Sequence, residues 1–165
     1  MRILVTGGAG FIGTNYVYHV LRNFPEDKVV VLDKLTYAGN LENLRPLEGH
    51  PRFRFFKGDI CDREIVDRLV SQVDAVVNFA AESHVDRSIH DATNFVRTNV
   101  LGTQTLIDSC RANGNVRFHH VSTDEVFGSL GPTGMFDEDS SYDPRSPYSA
   151  SKAGADHLVR AAWHT

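Results

Sequence analysis

The stretch Val5-Thr6-Gly7-Gly8-Ala9-Gly10-Phe11-Ile12-Gly13 joins an apolar run to a helical pattern. Before it, Met1 to Thr6 reads as a short strand with Ile3 and Val5 on one face and Leu4 on the other. After it, Phe11, Ile12, Tyr16, Val17, Val20 and Leu21 recur at helical spacing. A glycine-rich turn in that setting reads as a phosphate cradle. Gly7 permits the tight turn, Gly10 lets the backbone approach a pyrophosphate, and Gly13 lets the helix pack closely on the sheet. The N–H groups at the start of the helix then face the phosphates. Strand-to-helix turns also use glycine for steric reasons alone, and the second strand decides between the two readings. Lys28 to Leu32 is almost wholly apolar and leads into Asp33, twenty residues after Gly13. A carboxylate there accepts from both hydroxyls of an adenosine ribose, so the pattern predicts a dinucleotide site.

Outward from this motif the chain alternates strand and helix without repeats or low-complexity segments. Strands are expected at Arg2–Val5, Val29–Leu32, Phe53–Lys57, Ala75–Asn78 and Val116–Val121, and helices near Phe11–Asn23, Arg63–Gln72, Ala92–Ala112 and Pro147–His164. Sequential strands joined by helices predict an α/β fold, a doubly wound parallel sheet of Rossmann type, with ligands collecting beyond the carboxyl ends of the strands. With 165 residues, 41% of them hydrophobic, the chain can bury one core. Residues 1–165 are therefore expected to form one domain. Seventeen basic and twenty-one acidic residues give a net charge of −4 with no basic cluster, which argues against nucleic acid or an anionic membrane surface as partner. No apolar run approaches the ~20 residues of a membrane span and no signal peptide is evident. A cytoplasmic location is expected, and Cys61 and Cys110, widely separated, are expected to stay reduced. Adjacent His119 and His120 face opposite ways along a strand and lack companions, so no metal site is expected.

The residues that follow each strand carry the remaining site signals. Lys34-Leu35-Thr36-Tyr37-Ala38-Gly39-Asn40 is a turn-prone loop able to cover the adenine end. Asp59 bonds to adenine, with Ile60 flanking the ring, unless Asp59 or Asp62 simply caps the next helix. Ala80 and Ala81 are small enough for the backbone to approach a flat ring system, or for the sheet to pack tightly. In the long helix Phe95, Asn99, Gly102, Leu106 and Cys110 share one stripe, so the Asn99 amide is buried and needs partners. Val96, Val100 and Ile107 make a second apolar stripe. A helix covered on two sides points to a subunit contact, and a homodimer through the helices near 92–112 and 147–164 is expected. In the last helix Ser146 can cap with Pro147 at the first position, and Tyr148 and Lys152 then share a face four residues apart. A fixed cation beside a phenol favours phenolate, as base catalysis at a hydroxyl requires. YxxxK is common on solvated helices, but Ser149, Ala150, Ser151, Ala153, Gly154 and Ala155 strip this helix of bulk and suit it to close approach.

Five segments together carry a resemblance. Thr6–Gly13, Asp33–Leu41, Ala80–Ser88 (Ala-Ala-Glu-Ser-His-Val-Asp-Arg-Ser), Ser122–Val126 (Ser-Thr-Asp-Glu-Val) and Tyr148–Lys152 (Tyr-Ser-Ala-Ser-Lys) make the chain closely similar to dTDP-glucose 4,6-dehydratases of the extended short-chain dehydrogenase/reductase superfamily. The resemblance implies a tightly held NAD+ that is reduced and reoxidised within one turnover, converting dTDP-glucose to its 4-keto-6-deoxy product with loss of water. It implies that Tyr148 takes the 4-hydroxyl proton, that Lys152 holds the nicotinamide ribose and the phenolate, and that Thr123 steadies the hydroxyl. It further implies that Glu125 removes the C5 proton and Asp124 protonates the departing 6-hydroxyl. By the same similarity Gly7, Gly10, Phe11, Ile12, Gly13, Asp33, Lys34, Leu35, Thr36, Asp59, Ile60, Ala80, Ala81, Glu82, Ser83, His84 and Thr98 line the NAD site. Ser83, His84 and Thr123 meet the nucleotide-sugar substrate. GDP-mannose dehydratases resemble Thr-Ser-Glu where this chain has Thr123-Asp124-Glu125, and 4-epimerases lack the acid pair, so Asp124 discriminates.

Members of that family run to about twice this length, which implies that a C-terminal substrate domain is absent from this chain. The alternative readings are an NAD-binding fragment without turnover, or another nucleotide-sugar epimerase, dehydratase or decarboxylase of the superfamily. The long loop from Gly128 to Ser146, with Asp137-Glu138-Asp139, exceeds the usual ~12 to 15 residues and reads as an active-site cover. Phe127, where relatives often have tyrosine, reads as a conservative packing change.

Overall fold

A computed structural model describes residues 1–165. Strand β1 (Arg2–Thr6) is buried from its second residue onward because both of its faces are covered. Ile3 and Val5 enter one core with Val17, Val20 and Leu21 of helix α1 (Phe11–Asn23), while Leu4 enters a second with Val66, Leu69 and Val70 of helix α2 (Arg63–Val70). Each fully buried Val or Leu among these stabilises by ~1.5–3 kcal/mol. The alternation expected for β1 is therefore the one observed.

Strands β2 (Lys28–Asp33), β3 (Phe53–Lys57), β4 (Ala75–Asn78) and β5 (Arg117–His120) complete a five-stranded parallel sheet in the order β3-β2-β1-β4-β5. Thr6 lies opposite both Leu32 and Asn78, so the central strands end at the same level. The order reverses at β1 and β4, and open α/β sheets bind ligands at such a switch point. Helix α1 and strands β3 and β4 have the expected bounds, whereas β5 is shorter at both ends and α2 stops two residues early. Not anticipated are a 3-10 helix at Leu41–Leu47, capped by the Asn40 side chain, a six-residue helix α3 (Val85–His90), a 3-10 turn at Asp124–Phe127 and a π-helical stretch within the helix expected near Ala92–Ala112.

The chain forms two compact units, Met1–Ala80 with Thr105–Val121 and Ala81–Gln104 with Ser122–Thr165. The first holds the sheet. The second contains α3, helix α4 (Thr93–Phe95), a π-helical stretch at Val96–Gly102, a 3-10 turn at Asp124–Phe127 and helix α6 (Pro147–His164), while helix α5 (Thr103–Ala112) belongs to the first from Thr105 onward. No helix is long and apolar enough to cross a membrane.

Candidate active site

In the sheet unit the glycine turn has the form expected of a cradle, with one role moved from Gly13 to Gly8. Gly7 has φ +67°, and a Cβ there would lie 2.6 Å from the backbone nitrogen of Ala80. Gly13 was expected to bring the helix onto the sheet, but a Cβ on it would strike the Gly7 carbonyl oxygen, inside the turn itself. Close approach to the sheet instead falls to Gly8, whose added Cβ would sit 2.7 Å from Val31. Gly10 differs from all three: the nearest atoms to its added Cβ are carbonyl oxygens at 3.3 and 3.9 Å. Packing within the protein therefore demands glycine at 7, 8 and 13 but hardly at 10. Gly10 is also the N-cap of α1, with no side-chain cap, and the first turn carries no acid. Its N–H groups are left for an outside acceptor, as an anion would require. Phe11 and Ile12 stand exposed on the same turn.

Asp33 ends β2 buried, its Oδ2 accepting from the Ala9 N–H at 2.9 Å and its Oδ1 from the Leu35 N–H at 2.8 Å. Those bonds bind the β2 terminus to the cradle and leave lone pairs on both oxygens. Leu35 adopts φ 56°, which is uncommon for a branched residue, while Thr36 is exposed. Lys34 pairs with Asp59 at 2.8 Å. Burial pulls the Asp59 carboxyl up, but the Lys34 ammonium and the Cys61 N–H outweigh it and hold the carboxyl below its ordinary range. Asp59 is not the cap of α2; that is Asp62, which accepts from the Glu64 N–H. The Ile60 side chain is buried in the second core, so only its main chain is offered to a ligand. Ala80 donates its N–H to Thr6 Oγ1 at 3.5 Å, and Thr6 in turn donates to the buried Asn78 at 2.5 Å.

The other unit assembles the acid and base candidates around α6. Ser146 and Ser149 form a reciprocal capping box with Pro147 at the helix start. The Tyr148 N–H is taken by the buried Ser88 hydroxyl of α3 at 3.1 Å. Tyr148 also meets Phe95 edge to face, with ring centroids 6.4 Å apart. The Asn99 amide is buried and fully engaged: it accepts from the Glu82 N–H at 2.8 Å and donates to the Glu82 carbonyl at 2.9 Å and to Ser151 Oγ at 2.8 Å. Ser151 donates onward to the Tyr148 carbonyl at 2.7 Å. Asn99 lies in the π-helical stretch, a distortion frequent at functional sites. A Cβ on Gly154 would sit 3.5 Å from Val100, so the small face of α6 does serve close approach. Thr98 is half-buried, as are Ala81 and Glu82, while Ser83 and His84 are exposed just before α3.

Thr123 caps the 3-10 turn, its hydroxyl accepting from the Glu125 N–H at 3.3 Å. Asp124 and Glu125 both present exposed side chains. The loop after them is pinned by an aromatic cluster in which Phe127 meets Phe136 and Tyr142, both at 5.4 Å, and Tyr142 meets His157 at 4.9 Å. Sequence reading missed Gly8, Ser88 and the hydrogen bond of Ser151. Small polar residues beside the tyrosine were the available signal, but their partners lie far away in the chain.

Burial pulls the Lys152 ammonium down from 10.5 to about 8, against the opposing charge of Asp156. Charging this lysine in the folded chain therefore costs about 3 kcal/mol. The unfolded chain holds the extra proton between about pH 8 and 10.5, so stability rises with pH across that window and the full cost is present below it. Lys152→Met is expected to stabilise the protein by about 1–3 kcal/mol near neutral pH and to abolish this rise. Urea unfolding at several pH values reads both, and an unchanged slope would contradict the assignment.

A family model described as GDP-mannose 4,6 dehydratase matches residues 4–165. The chain is 58% identical over 161 residues to a low-salt glycan biosynthesis protein of Haloferax volcanii, covering 98% of this chain and 51% of that protein. It is 55% identical over 163 residues to a dTDP-glucose 4,6-dehydratase of Mycobacterium tuberculosis, covering 98% and 48% respectively. Among solved structures, the dTDP-glucose 4,6-dehydratase DesIV of Streptomyces venezuelae, which has NAD bound, superposes with a TM-score of 0.96 at 53% identity over 100% of this chain and 52% of that one. A UDP-glucose 4-epimerase of Thermus thermophilus in complex with NAD gives 0.88 at 33% identity, over 99% and 51%. The chain spans about half the length of the curated relatives it matches.

Proposed function

The chain belongs to the GDP-mannose 4,6-dehydratase family, and on that premise we propose that the full-length protein dehydrates dTDP-glucose to dTDP-4-keto-6-deoxyglucose. The observation that carries this reading is the pairing, within one unit, of an acid-bearing turn at Thr123-Asp124-Glu125 with the Tyr148 and Lys152 face of α6. Oxidation alone needs only the second; elimination of water needs the first as well.

The cradle fits NAD: Gly10 offers open backbone, the α1 N-terminus unpaired donors, and Asp33 two oxygens at the ribose position. Gly7, Gly8 and Gly13 hold that shape. Phe11, Ile12, Lys34, Leu35, Thr36, Asp59, the Ile60 main chain and Ala80 line it, with Ala81, Glu82, Ser83, His84 and Thr98 serving the nicotinamide half. When bound, NAD+ would supply transient oxidation, taking up a hydride from sugar C4 and giving it back at C6 as C5 regains a proton. Tyr148 takes the 4-hydroxyl proton, steadied by Thr123, while Lys152 stabilises the phenolate. With C4 a ketone, Glu125 removes the acidified C5 proton and Asp124 protonates the 6-hydroxyl, which departs as water. Ser83 and His84 help Thr123 to hold the sugar. Residues 1–165 serve as the NAD-binding and catalytic part, in a cytoplasmic homodimer formed through the helices near 92–112 and 147–164. The exposed Val96 and Leu101 support that surface.

The test is product analysis with the full-length protein and dTDP-glucose. A 4-keto-6-deoxy product is expected, and a product retaining its 6-hydroxyl would overturn the reading in favour of epimerisation.

NAD is expected to bind at least about 100-fold more tightly than NADP, because Asp33 opposes a 2′-phosphate. Asp33→Ala would also cut the bonds to both Ala9 and Leu35, whereas Asp33→Asn keeps one oxygen able to accept from one of them, so Asp33→Asn is the cleaner probe and should narrow the preference to about tenfold or less. Calorimetric titration with both dinucleotides reads this, and tighter NADP binding by the native protein would refute it.

A further inference from the structure

We propose that Asp156 is a positioning residue whose carboxylate ties Ser122, and with it the Thr123-Asp124-Glu125 turn, to the helix that bears Tyr148 and Lys152. Ser122 Oγ donates to Asp156 Oδ2 at 2.5 Å, and the Tyr142 hydroxyl donates to the same oxygen at 3.2 Å. Two segments remote in sequence thus converge on one atom of α6. Ser122 directly precedes Thr123, the cap from which the acid-bearing turn starts, so holding Ser122 sets where that turn begins. Tyr142 is held from both sides by Phe127 and His157, which delivers its hydroxyl to Asp156. Burial, then the Asp156 charge and hydrogen bond, raise the Tyr142 phenol against the opposing Arg160, so it remains a donor. One helical turn away, the Asp156 charge also opposes the burial that pulls Lys152 down. The plain alternative is a solvated helix carboxylate paired with a surface cation, which contributes little. Such a residue does not collect hydroxyl donors from two other segments on one oxygen.

This inference rests on the proposed roles of Thr123, Asp124 and Glu125, and its test separates the two. In the full-length protein, Asp156→Ala should lower kcat for dTDP-glucose about 10- to 100-fold, the loss expected from misplaced reacting groups, with a smaller change in KM. Asp156→Asn keeps an oxygen able to accept from both donors and should recover most of that loss. Ser122→Ala should reproduce the defect in a milder form, and it carries the test if Asp156→Ala does not fold. Independently of turnover, amide hydrogen exchange at Glu125, Val126 and Phe127 should accelerate in Asp156→Ala and Ser122→Ala. Native kcat in both of these variants, or Asp156→Asn as impaired as Asp156→Ala, would overturn the positioning role. If the native protein fails to turn over dTDP-glucose the functional reading falls, and the exchange rates still decide whether the clamp exists.

Discussion

Glu125→Gln in the full-length protein is expected to halt the reaction after oxidation at C4, with reduced-nicotinamide absorbance accumulating in place of product. The structure makes this substitution clean. Glu125 anchors its turn through its backbone N–H, which donates to Thr123, and glutamine keeps that bond. Tyr148 and Lys152 stand on another element, so proton removal at O4 survives while removal of the C5 proton does not. Asp124→Asn tests the other half. Thr123 Oγ1 lies 3.4 Å from Asp124 Oδ1, and an amide oxygen can still accept from it, so the turn persists without its acid. Enolisation then continues and water loss slows. General acid or base assistance contributes typically 10²- to 10⁴-fold, so each defect should be of that order. Neighbouring carboxyls interact, and one substitution can alter the partner's titration as well as delete a role. Solvent deuterium uptake at C5 under single-turnover conditions separates them, because it should vanish in Glu125→Gln and persist in Asp124→Asn. The opposite pattern would reverse the assignment, and unimpaired elimination in both would remove the pair from the mechanism.

Gly10→Ala is expected to weaken NAD binding about 5- to 150-fold while lowering the melting temperature much less than Gly13→Ala does. The added methyl meets only a carbonyl oxygen at 3.3 Å and another at 3.9 Å, and Gly10 has φ −77°, which alanine adopts freely. The space it fills is the space proposed for the pyrophosphate, where overpacking costs typically ~1–3 kcal/mol. Gly13→Ala makes the contrast, since its methyl strikes the Gly7 carbonyl and must deform the turn before any ligand arrives. Stability and affinity should fall together there. Calorimetry and thermal unfolding on the two variants give the comparison. Native NAD affinity in Gly10→Ala, or a loss of melting temperature as large as that of Gly13→Ala, would mean that the turn is built for packing alone.

The contrast between those two glycines marks where local pattern stops being informative. Spacing identified the turn, but the close approach expected of Gly13 falls to Gly8, because contact with Val31 depends on how β2 lies beside β1, which the turn itself does not encode. Helix α3 escaped notice for a related reason. Val85–His90 is six residues long and mostly exposed, too short to show an apolar period, and it is organised by Ser88 accepting from Tyr148 sixty residues away. The buried Asn99 shows both sides. Its stripe is visible in the spacing, and burial obliges an amide to find partners, yet the choice of Glu82 and Ser151 depends on chain closures of 17 and 52 residues.

By itself the sequence determined the strand-and-helix alternation, the two faces of β1, the cradle between Val5 and Gly13, the acid at the end of β2 and the Tyr148 and Lys152 face of α6. All of these follow from partitioning of apolar side chains and from backbone preferences that act over a few residues. Only the tertiary structure decided the strand order, the engagement of Asp33 by Ala9 and Leu35, the pairing of Lys34 with Asp59, the burial of Lys152 and the meeting of Ser122 and Tyr142 on Asp156. A polar side chain will satisfy itself with any donor or acceptor brought within reach. Which one arrives is set by the closure of the whole chain.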